Sequence, residues 1–220
     1  EVDGAAYWMS ENGFFRYTGK LESMQCLVED YVYDDLNTTA QQLINCGLNN
    51  LFGEIYWFYP SNSSEIVNRM VSYNYLDSSP QRQIWVTSSL DRTTWSDSAV
   101  FGKPHGTKYT ASNDVSFDVV GNTEGRTAYF EHETGTDQVE AGSVSAIAAS
   151  VESGDYDITV TKEGGATLQG DGEFLMKIRR FLPDFISQTG NTQITLNLRD
   201  YPNSSQASSP LGPFTISSST

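Results

Sequence analysis

The sequence has little cysteine, little histidine and few basic residues. Its 220 residues include 2 cysteines, 2 histidines and 13 lysines and arginines, against 28 aspartates and glutamates. Neither Cys26 nor Cys46 lies in a metal-ligand spacing, so a disulfide framework and a zinc site are not indicated. We expect two free, buried thiols, with a single disulfide between them as the alternative. His105 and His132 stand far apart without nearby ligands, and the Lys-Pro-His-Gly-Thr context predicts a turn at His105.

The shortage of bases leaves a net charge of −15. A protein that binds nucleic acid by neutralising phosphates is therefore not indicated, and a solvated acidic surface is the simpler interpretation. The sequence also lacks any run of about 18 apolar residues. We expect no membrane-spanning helix and no membrane partner.

What is present is a series of short runs of β-favouring residues separated by turn residues. Apolar residues make up 38% of the chain and charged residues 19%, the balance of a folded protein. The pattern predicts an all-β fold of antiparallel meanders, as in a sandwich, barrel or propeller. About a dozen strands and one short helix are expected, and the absence of a βαβ rhythm argues against a doubly wound sheet.

The N-terminal quarter contains a hairpin signal and a helix signal. "AAYWMS" and "GFFRYTG" flank Glu11-Asn12-Gly13, and Asn-Gly predicts a tight hairpin. The only helical segment is "EDYVYDDLNTTAQQLINCGL". A short helix is predicted there through Gln41, Leu43 and Ile44, capped by Asn37 or Thr38 and ended by Gly47.

Further strands are predicted from alternation towards the C-terminus. "DVSFDVVG" (114–121) is expected to be half-buried, and "SAIAASVES" (145–153) alternates Ile147, Ala149 and Val151 with Ala146, Ala148 and Ser150. "DYDITVT", "EFLMKIRRF" and "TQITLNLRDYP" are also predicted strands. Pro202 and "NSSQASSPLGP" are then expected to end the strand and form a loop.

Aromatic residues are concentrated in "FGEIYWFYPSNSSEIVNRMVSYNYL" (52–76), on two predicted strands joined by the polar loop 60–64. Alternation places Ile55, Trp57 and Tyr59 on one face of the first strand and Tyr56 and Phe58 on the other, so both faces are apolar. The second strand carries a tyrosine face opposite Met70 and Leu76. The predicted packing or interface residues are Tyr56, Trp57, Phe58, Tyr59, Tyr73 and Tyr75.

Motifs for catalysis, cofactors or metals are weak. "SSLDRTTW" approaches the Ser-x-Asp-x-Gly-x-Thr-Trp turn of sialidase-type propellers through Ser89, Asp91, Thr94 and Trp95, but it lacks the glycine and is one residue short. Paired carboxylates are plentiful, and none is singled out for acid/base chemistry. "GDYD" and "GDGE" match no known calcium loop. We predict no catalytic, cofactor-binding or metal-binding residues.

Several longer phrases resemble, in order, segments of a virion protein of short-tailed bacteriophages. They are "AYWMSENGFFRYTG", "EDYVYDDLN", "FGEIYWFYPSNSSEIVNRMVSYNYL", "TTW", "AIAASVESGDYDI", "GDGEFLMKIRRFLPDF" and "PFTISSS". The family is the propeller-bearing tail hub or nozzle protein below the portal. The resemblance implies that residues 1–220 are a single all-β region, the later part of a larger propeller-type virion protein.

The same resemblance implies a structural role in the virion tail without cofactors. Copies would form a ring, a homo-hexamer, that meets the portal or adaptor and other tail proteins around the DNA ejection channel. DNA would pass without specific binding, since an acidic wall repels it. Two other hypotheses remain at this stage: a carbohydrate-binding or sialidase-like β-propeller, with Tyr56, Trp57, Tyr59, Tyr73 and Tyr75 stacking on sugars, and a secreted β-sandwich adhesion module.

Overall fold

A computed structural model describes residues 2–79, 82–110, 126–140, 143–147, 149–153, 159–160, 166–167, 177–185, 188, 190–199 and 208–218. The chain forms two compact units, Glu1–Ala148 (unit 1) and Ala149–Thr220 (unit 2). Every strand pairing in the described residues is antiparallel. The predicted all-β, antiparallel class is therefore confirmed.

Unit 1 contains twelve strands and two short helices among its described residues. In chain order these are β1 Ala6–Ser10, β2 Gly13–Tyr17, β3 Leu21–Ser23, α1 Glu29–Asp35, a 3-10 helix Gln41–Leu43, β4 Asn45–Asn49, β5 Glu54–Tyr59, β6 Arg69–Ser79, β7 Arg82–Ser88, β8 Thr94–Ser96, β9 His105–Thr110, β10 Arg126–Glu131, β11 Asp137–Glu140 and β12 Ser143–Ala146. Unit 2 contains β13 Thr159–Val160, β14 Ala166–Thr167, β15 Thr192–Leu198 and β16 Ser208–Ile216. No helix of the described part is long and apolar enough to cross a membrane.

Three sheets organise unit 1. Sheet A has the order β1-β2-β3, sheet B the order β4-β5-β6-β7 and sheet C the order β8-β9-β10, while β11 and β12 form a separate hairpin. Sheet B is a four-stranded meander in which each strand pairs with the next one along the chain. A four-stranded meander is also the form of a single blade in a β-propeller.

Sheet B is covered on both of its faces, because β5 is apolar on both. One hydrophobic cluster joins one face of sheet B to sheet A and α1; its buried members are Phe14, Met24, Val32, Leu36, Ile55, Trp57, Tyr59, Val71 and Tyr73. A second cluster lies on the opposite face, consisting of Tyr56, Phe58, Val67 and Met70 with Leu90 and Trp95 packed against it. The predicted alternation along β5 and β6 is confirmed.

The predicted N-terminal hairpin is confirmed, with its turn one residue earlier than the Asn-Gly pair suggests. Ser10 pairs directly with Gly13, so Glu11 and Asn12 are the two turn residues and Gly13 is the first residue of β2. Gly13 has a φ of 151°, which a side chain rarely adopts. Glycine is therefore required at the first residue of β2 and not within the two-residue turn.

The helix prediction is wrong in place and extent. The α-helix is α1, a seven-residue helix in the acidic stretch before Asn37, and the segment predicted to be helical forms only the 3-10 turn Gln41–Leu43. Asn37 accepts hydrogen bonds from Thr39 in a local turn, where it caps no helix. Gly47 lies in β4, because sheet pairing with β5 and close packing against Trp95 override the local stop signal.

Two of the later strand predictions fail in their described parts. β12 ends at Ala146, and Ile147 and Val151 are exposed, so the alternating segment 145–153 does not continue as a half-buried strand. Residues 177–185, within and after "EFLMKIRRF", belong to no strand. An alternating segment forms a strand only where a neighbouring strand pairs with it, and residues 147, 149–153 and 177–185 pair with no strand among the described residues. The predicted strand at 114–121 lies outside the described residues.

The predicted end of the ordered pattern after β15 is also wrong. β15 is present as expected, but "SSPLGP" is part of β16 and pairs with it. The pairing is irregular, with register shifts between Ile194 and Leu196 and between Leu196 and Leu198. These irregularities accommodate Pro210 and Pro213 in an edge strand, where a missing N–H is tolerated.

Candidate functional site

The first face of β5 builds the larger aromatic cluster. Trp57 is 2% exposed, and its ring stacks on Trp85 of β7 with centroids 6.0 Å apart and contacts Phe14 of β2 at 5.1 Å. Tyr59 on the same face is fully buried. Burial raises the pKa of Tyr59 to about 12, and its hydroxyl has no hydrogen-bond partner among the described residues. This face is filled by side chains of the same chain.

The second face of β5 packs against Trp95 of β8. The Trp95 ring lies 5.2 Å from Tyr56 and 5.7 Å from Phe58, and its indole N–H donates to the carbonyl of Leu48 at 2.7 Å. Gly47 makes this approach feasible, because a Cβ there would lie 2.2 Å from Cδ1 of Trp95. Trp95, which in the sequence ends the imperfect sialidase-type motif and the phrase "TTW", joins sheet C to sheet B.

The tyrosine face of β6 meets the same chain. Tyr73 is buried, with its ring 6.1 Å from Tyr7 of β1 and 4.9 Å from Trp85. Burial raises the pKa of Tyr73. Tyr75 is half-buried and packs against the edge of the same cluster. Of the six predicted packing or interface residues, the structure therefore brings five into the core and leaves Tyr75 at its margin.

The polar loop 60–64 is anchored to the fold through its first two residues, Pro60 and Ser61. Ser61 is fully buried, its N–H donates to Oδ1 of Asn68 at 2.8 Å, and Asn68 Nδ2 donates to Ser61 Oγ at 2.9 Å. The N–H of Asn37 donates to the carbonyl of Pro60 at 3.0 Å. Pro60 and Ser61 thus fasten β5 and β6 to the segment that follows α1, while Asn62 and Ser63 are exposed.

A cleft of about 420 Å³ lies where the loops of sheets B and C meet. Its lining residues are Asn50, Leu51, Asp97, Gly102, Lys103, Pro104 and Glu133. Behind it, the buried Asn49 donates from Nδ2 both to Glu133 Oε1 at 3.1 Å and to the hydroxyl of Tyr56 at 3.0 Å. Tyr56 in turn donates to Glu54 Oε2 at 2.7 Å. This network could not be predicted from the sequence, because it joins Asn49 at the end of β4 to Glu133, 84 residues later in the loop after β10.

A second polar cluster lies beside Trp95. Arg92 is 8% exposed, donates from Nε to His132 Nε2 at 2.9 Å and places its guanidinium 4.3 Å from the ring centre of Phe130. Burial, and then the positive charge of Arg92, lower the pKa of His132 to about 4. His132 is therefore neutral at physiological pH and acts as an acceptor for Arg92, which fixes the end of β10 against β8.

The predictions for cysteine and histidine are partly corrected. Both cysteines are free, as expected, but Cys46 is exposed and Cys26 is half-buried. Burial raises the pKa of Cys26 to about 12, so its thiol is unreactive. His105 begins strand β9 and stacks on Tyr129 at 5.2 Å, so it is not a turn residue. Its pairing with Glu131 in β10 overrides the turn signal of the neighbouring Pro104 and Gly106.

Within the described ranges, no group of three or more His, Cys, Asp or Glu residues is arranged to hold a metal ion. The acidic turns "GDYD" and "GDGE" lie outside those ranges. No known family model matches the sequence. A comparison with curated proteins likewise finds no match.

The most unusual surface feature is the number of exposed large apolar side chains. In unit 1 they include Leu27 at 66%, Leu51 at 67% and Tyr129 at 65% exposure. In unit 2, Leu182 is 75% and Phe214 is 53% exposed. Scattered apolar residues are ordinary on any protein surface, whereas a large contiguous apolar patch often marks an interaction site.

Proposed function

We propose that this protein is a non-enzymatic structural component of a bacteriophage tail, a hub or nozzle subunit that forms part of a ring around the DNA ejection channel. The observation that carries the proposal is the use of the aromatics. Both faces of β5 are buried between sheets A and C, so the residues that would bind a ligand instead hold sheets together. Aromatic side chains that pack sheets together are what a protein with a structural role requires.

We further propose that the stacked sheets are blades of a β-propeller. The support is the four-stranded meander of sheet B and its covering by one sheet on each face, as adjacent blades cover one another. The order of the sheets in the chain, A then B then C, is that of successive blades. The resemblance of the aromatic strands to those of tail proteins supports the same architecture.

The proposed partners are other copies of this chain in a hexamer, the portal or adaptor, and neighbouring tail proteins in the virion. Six copies of charge −15 would carry roughly −90. A channel wall of that sign would let DNA pass without adhering to it. We therefore expect the aspartates and glutamates to concentrate on the lumen side of the ring.

The carbohydrate-binding alternative draws no support from the residues on which it was based. Sugar stacking requires an aromatic face open to water beside hydrogen-bonding groups. Tyr56, Trp57, Tyr59 and Tyr73 are each 6% exposed or less. Tyr75, the fifth candidate, is half-buried, so a sugar-binding function would have to use Tyr75 alone or other residues.

The test is electron microscopy of the purified protein and of the particles that carry it. We expect six-fold rings, and antibody labelling at the tail below the portal. Monodisperse monomers that bind a glycan array would contradict the proposal and favour the carbohydrate-binding class. Rings whose acidic side chains lie mainly on the outer wall would refute the proposal of an acidic channel wall, but not the proposal that the protein forms a ring.

A further inference from the structure

Unit 2 exposes a segment that is both basic and apolar. Residues 177–185, which we call the basic strip, contain three bases and one acid, in a chain whose acids outnumber its bases by 28 to 13. Lys177, Arg179 and Arg180 are all exposed. None of the three forms an ion pair or a side-chain hydrogen bond with another described residue.

The same strip exposes large apolar side chains. Ile178 is 40% exposed, Phe181 51%, Leu182 75% and Phe185 41%. The segment belongs to no strand or helix, so its backbone is also free of any ladder in the described part of the chain. Arginine and phenylalanine are enriched in protein interfaces, and a contiguous exposed apolar segment usually marks one. The strip has the composition of a binding segment.

The partner that fits this strip is an acidic protein surface with apolar side chains of its own. Unit 1 supplies that chemistry, since Glu1–Ala148 holds 20 acidic and 8 basic residues, a net charge of −12. DNA fits less well, because half of the strip is apolar and the rest of the chain repels phosphate. A second copy of this protein therefore matches both the charge and the apolar content of the strip.

The matching surface on unit 1 is the outer side of α1 together with Leu27, which lies two residues before the helix. Leu27 and Tyr31 are 66% and 58% exposed, and Asp30 and Asp34 are exposed beside them. We call these four residues the acidic stripe. Asp34 lies in the last turn of α1, where the helix dipole disfavours a negative charge, and that turn contains no base. Asp30 and Asp34 form no ion pair with any described residue.

We propose that the basic strip of one copy binds the acidic stripe of a second copy. The contact joins two different surfaces, so it repeats head to tail and can close into a ring. Arg179 and Arg180 would pair with Asp30 and Asp34, while the apolar side chains of the strip would cover Leu27 and Tyr31. The inference rests on the proposed ring assembly and assigns one of its contacts.

The test uses charge reversal in the full chain, with association measured by sedimentation velocity and mass photometry. The strip variant Arg179→Glu/Arg180→Glu and the stripe variant Asp30→Lys/Asp34→Lys should each weaken self-association at least tenfold. Lys20→Glu/Arg82→Glu and Glu11→Lys/Glu65→Lys make the same changes in net charge at other exposed sites. These matched controls should change association less than twofold, and circular dichroism should show all four variants folded.

Mixing the two defective variants gives the decisive result. In the mixture, the unchanged basic strip of the stripe variant can bind the unchanged acidic stripe of the strip variant. The reversed, now acidic strip of the strip variant can bind the reversed, now basic stripe of the stripe variant. Alternating hetero-oligomers should therefore form although neither variant associates alone. Restoration only when both reversals are in the same chain would overturn the proposal, because the contact would then lie within one molecule.

Other outcomes separate this inference from the proposed function. Rings that persist in both reversed variants would overturn the strip contact and leave the ring proposal standing. A wild-type protein that stays monomeric would overturn both. Loss of DNA binding in the strip variant, with association unaffected by the stripe variant, would assign the strip to DNA instead.

Discussion

Trp57 shows how one residue supports several elements. It lies on β5, stacks on Trp85 of β7 and contacts Phe14 of β2, so it links sheets A and B. Trp57→Ala should lower the free energy of unfolding by about 3–5 kcal/mol, because the cavity cannot close between two sheets. Urea denaturation measures the loss. Trp8→Ala, at a site 38% exposed, should cost clearly less, and a loss below about 1 kcal/mol for Trp57→Ala would contradict its core role.

Two buried tyrosines on opposite faces of β5 should respond differently to loss of their hydroxyls. Tyr59 has a buried hydroxyl without a hydrogen-bond partner among the described residues, so Tyr59→Phe should raise stability by up to about 1 kcal/mol. Tyr56 donates to Glu54 and accepts from Asn49, so Tyr56→Phe should cost about 1–3 kcal/mol. Thermal and urea unfolding of both variants test this, and equal effects would refute it.

His132 should make stability depend on pH. The folded protein lowers the pKa of His132 from 6.5 to about 4, while the unfolded chain keeps the ordinary value. Below pH 6.5 His132 is protonated in the unfolded state but stays neutral in the folded state. The free energy of unfolding therefore falls between pH 6.5 and about pH 4, and becomes independent of this group at lower pH. His132→Gln, which retains an acceptor for Arg92, should lose less stability over that range. An NMR imidazole signal of His132 that titrates near pH 6.5 in the folded protein would contradict the lowered pKa and the pH dependence derived from it.

At the scale of elements, the packing of sheet C on sheet B depends on a missing side chain. Gly47 of β4 lies against Trp95 of β8, and any Cβ would overlap the indole. Gly47→Ala should cost about 1–3 kcal/mol by overpacking, and should shift the fluorescence of the displaced tryptophan. Cys46→Ala in the neighbouring, exposed position is the control. An unchanged emission spectrum in the glycine variant would show that the sheets are not so tightly joined.

The hairpins of unit 2 are elements that lack a third strand. β13 pairs with β14 and β15 with β16, each as a two-stranded sheet in the described residues. Along β15, Ile194, Leu196 and Leu198 share one side and are only half-buried. A two-stranded sheet has little stability in water, so this apolar side is a further surface that a partner would stabilise.

At the scale of the whole molecule, the described core residues are unevenly divided between unit 1 and unit 2. Among the described residues, all buried alanine, valine, leucine, isoleucine, methionine and aromatic side chains lie between Ala5 and Tyr73, inside unit 1. A fragment comprising Glu1–Ala148 should therefore unfold cooperatively, with a melting temperature within a few degrees of that of the full chain. The Ala149–Thr220 fragment should show no cooperative transition alone. Calorimetry of both fragments tests this, and a cooperative transition in the second fragment would contradict it.

The sequence alone determined the strand class and the use of the aromatics. Period-two alternation is a local property of the chain, so Trp57 and Tyr59 on one face and Tyr56 and Phe58 on the other could be predicted without a structure. A strand apolar on both faces must be covered on both faces, and this too follows from the residues.

The tertiary structure decided what covers those faces and where local signals are overruled. Nothing near Gly47 indicates Trp95, 48 residues later, and nothing near Asn49 indicates Glu133, because such contacts depend on the order and stacking of sheets. Gly47 and His105 carry turn signals but lie in strands, since ladder pairing and sheet packing outweigh single-residue propensity. Alternation alone did not make 145–153 a continuous strand, because a strand also requires a neighbour with which to pair.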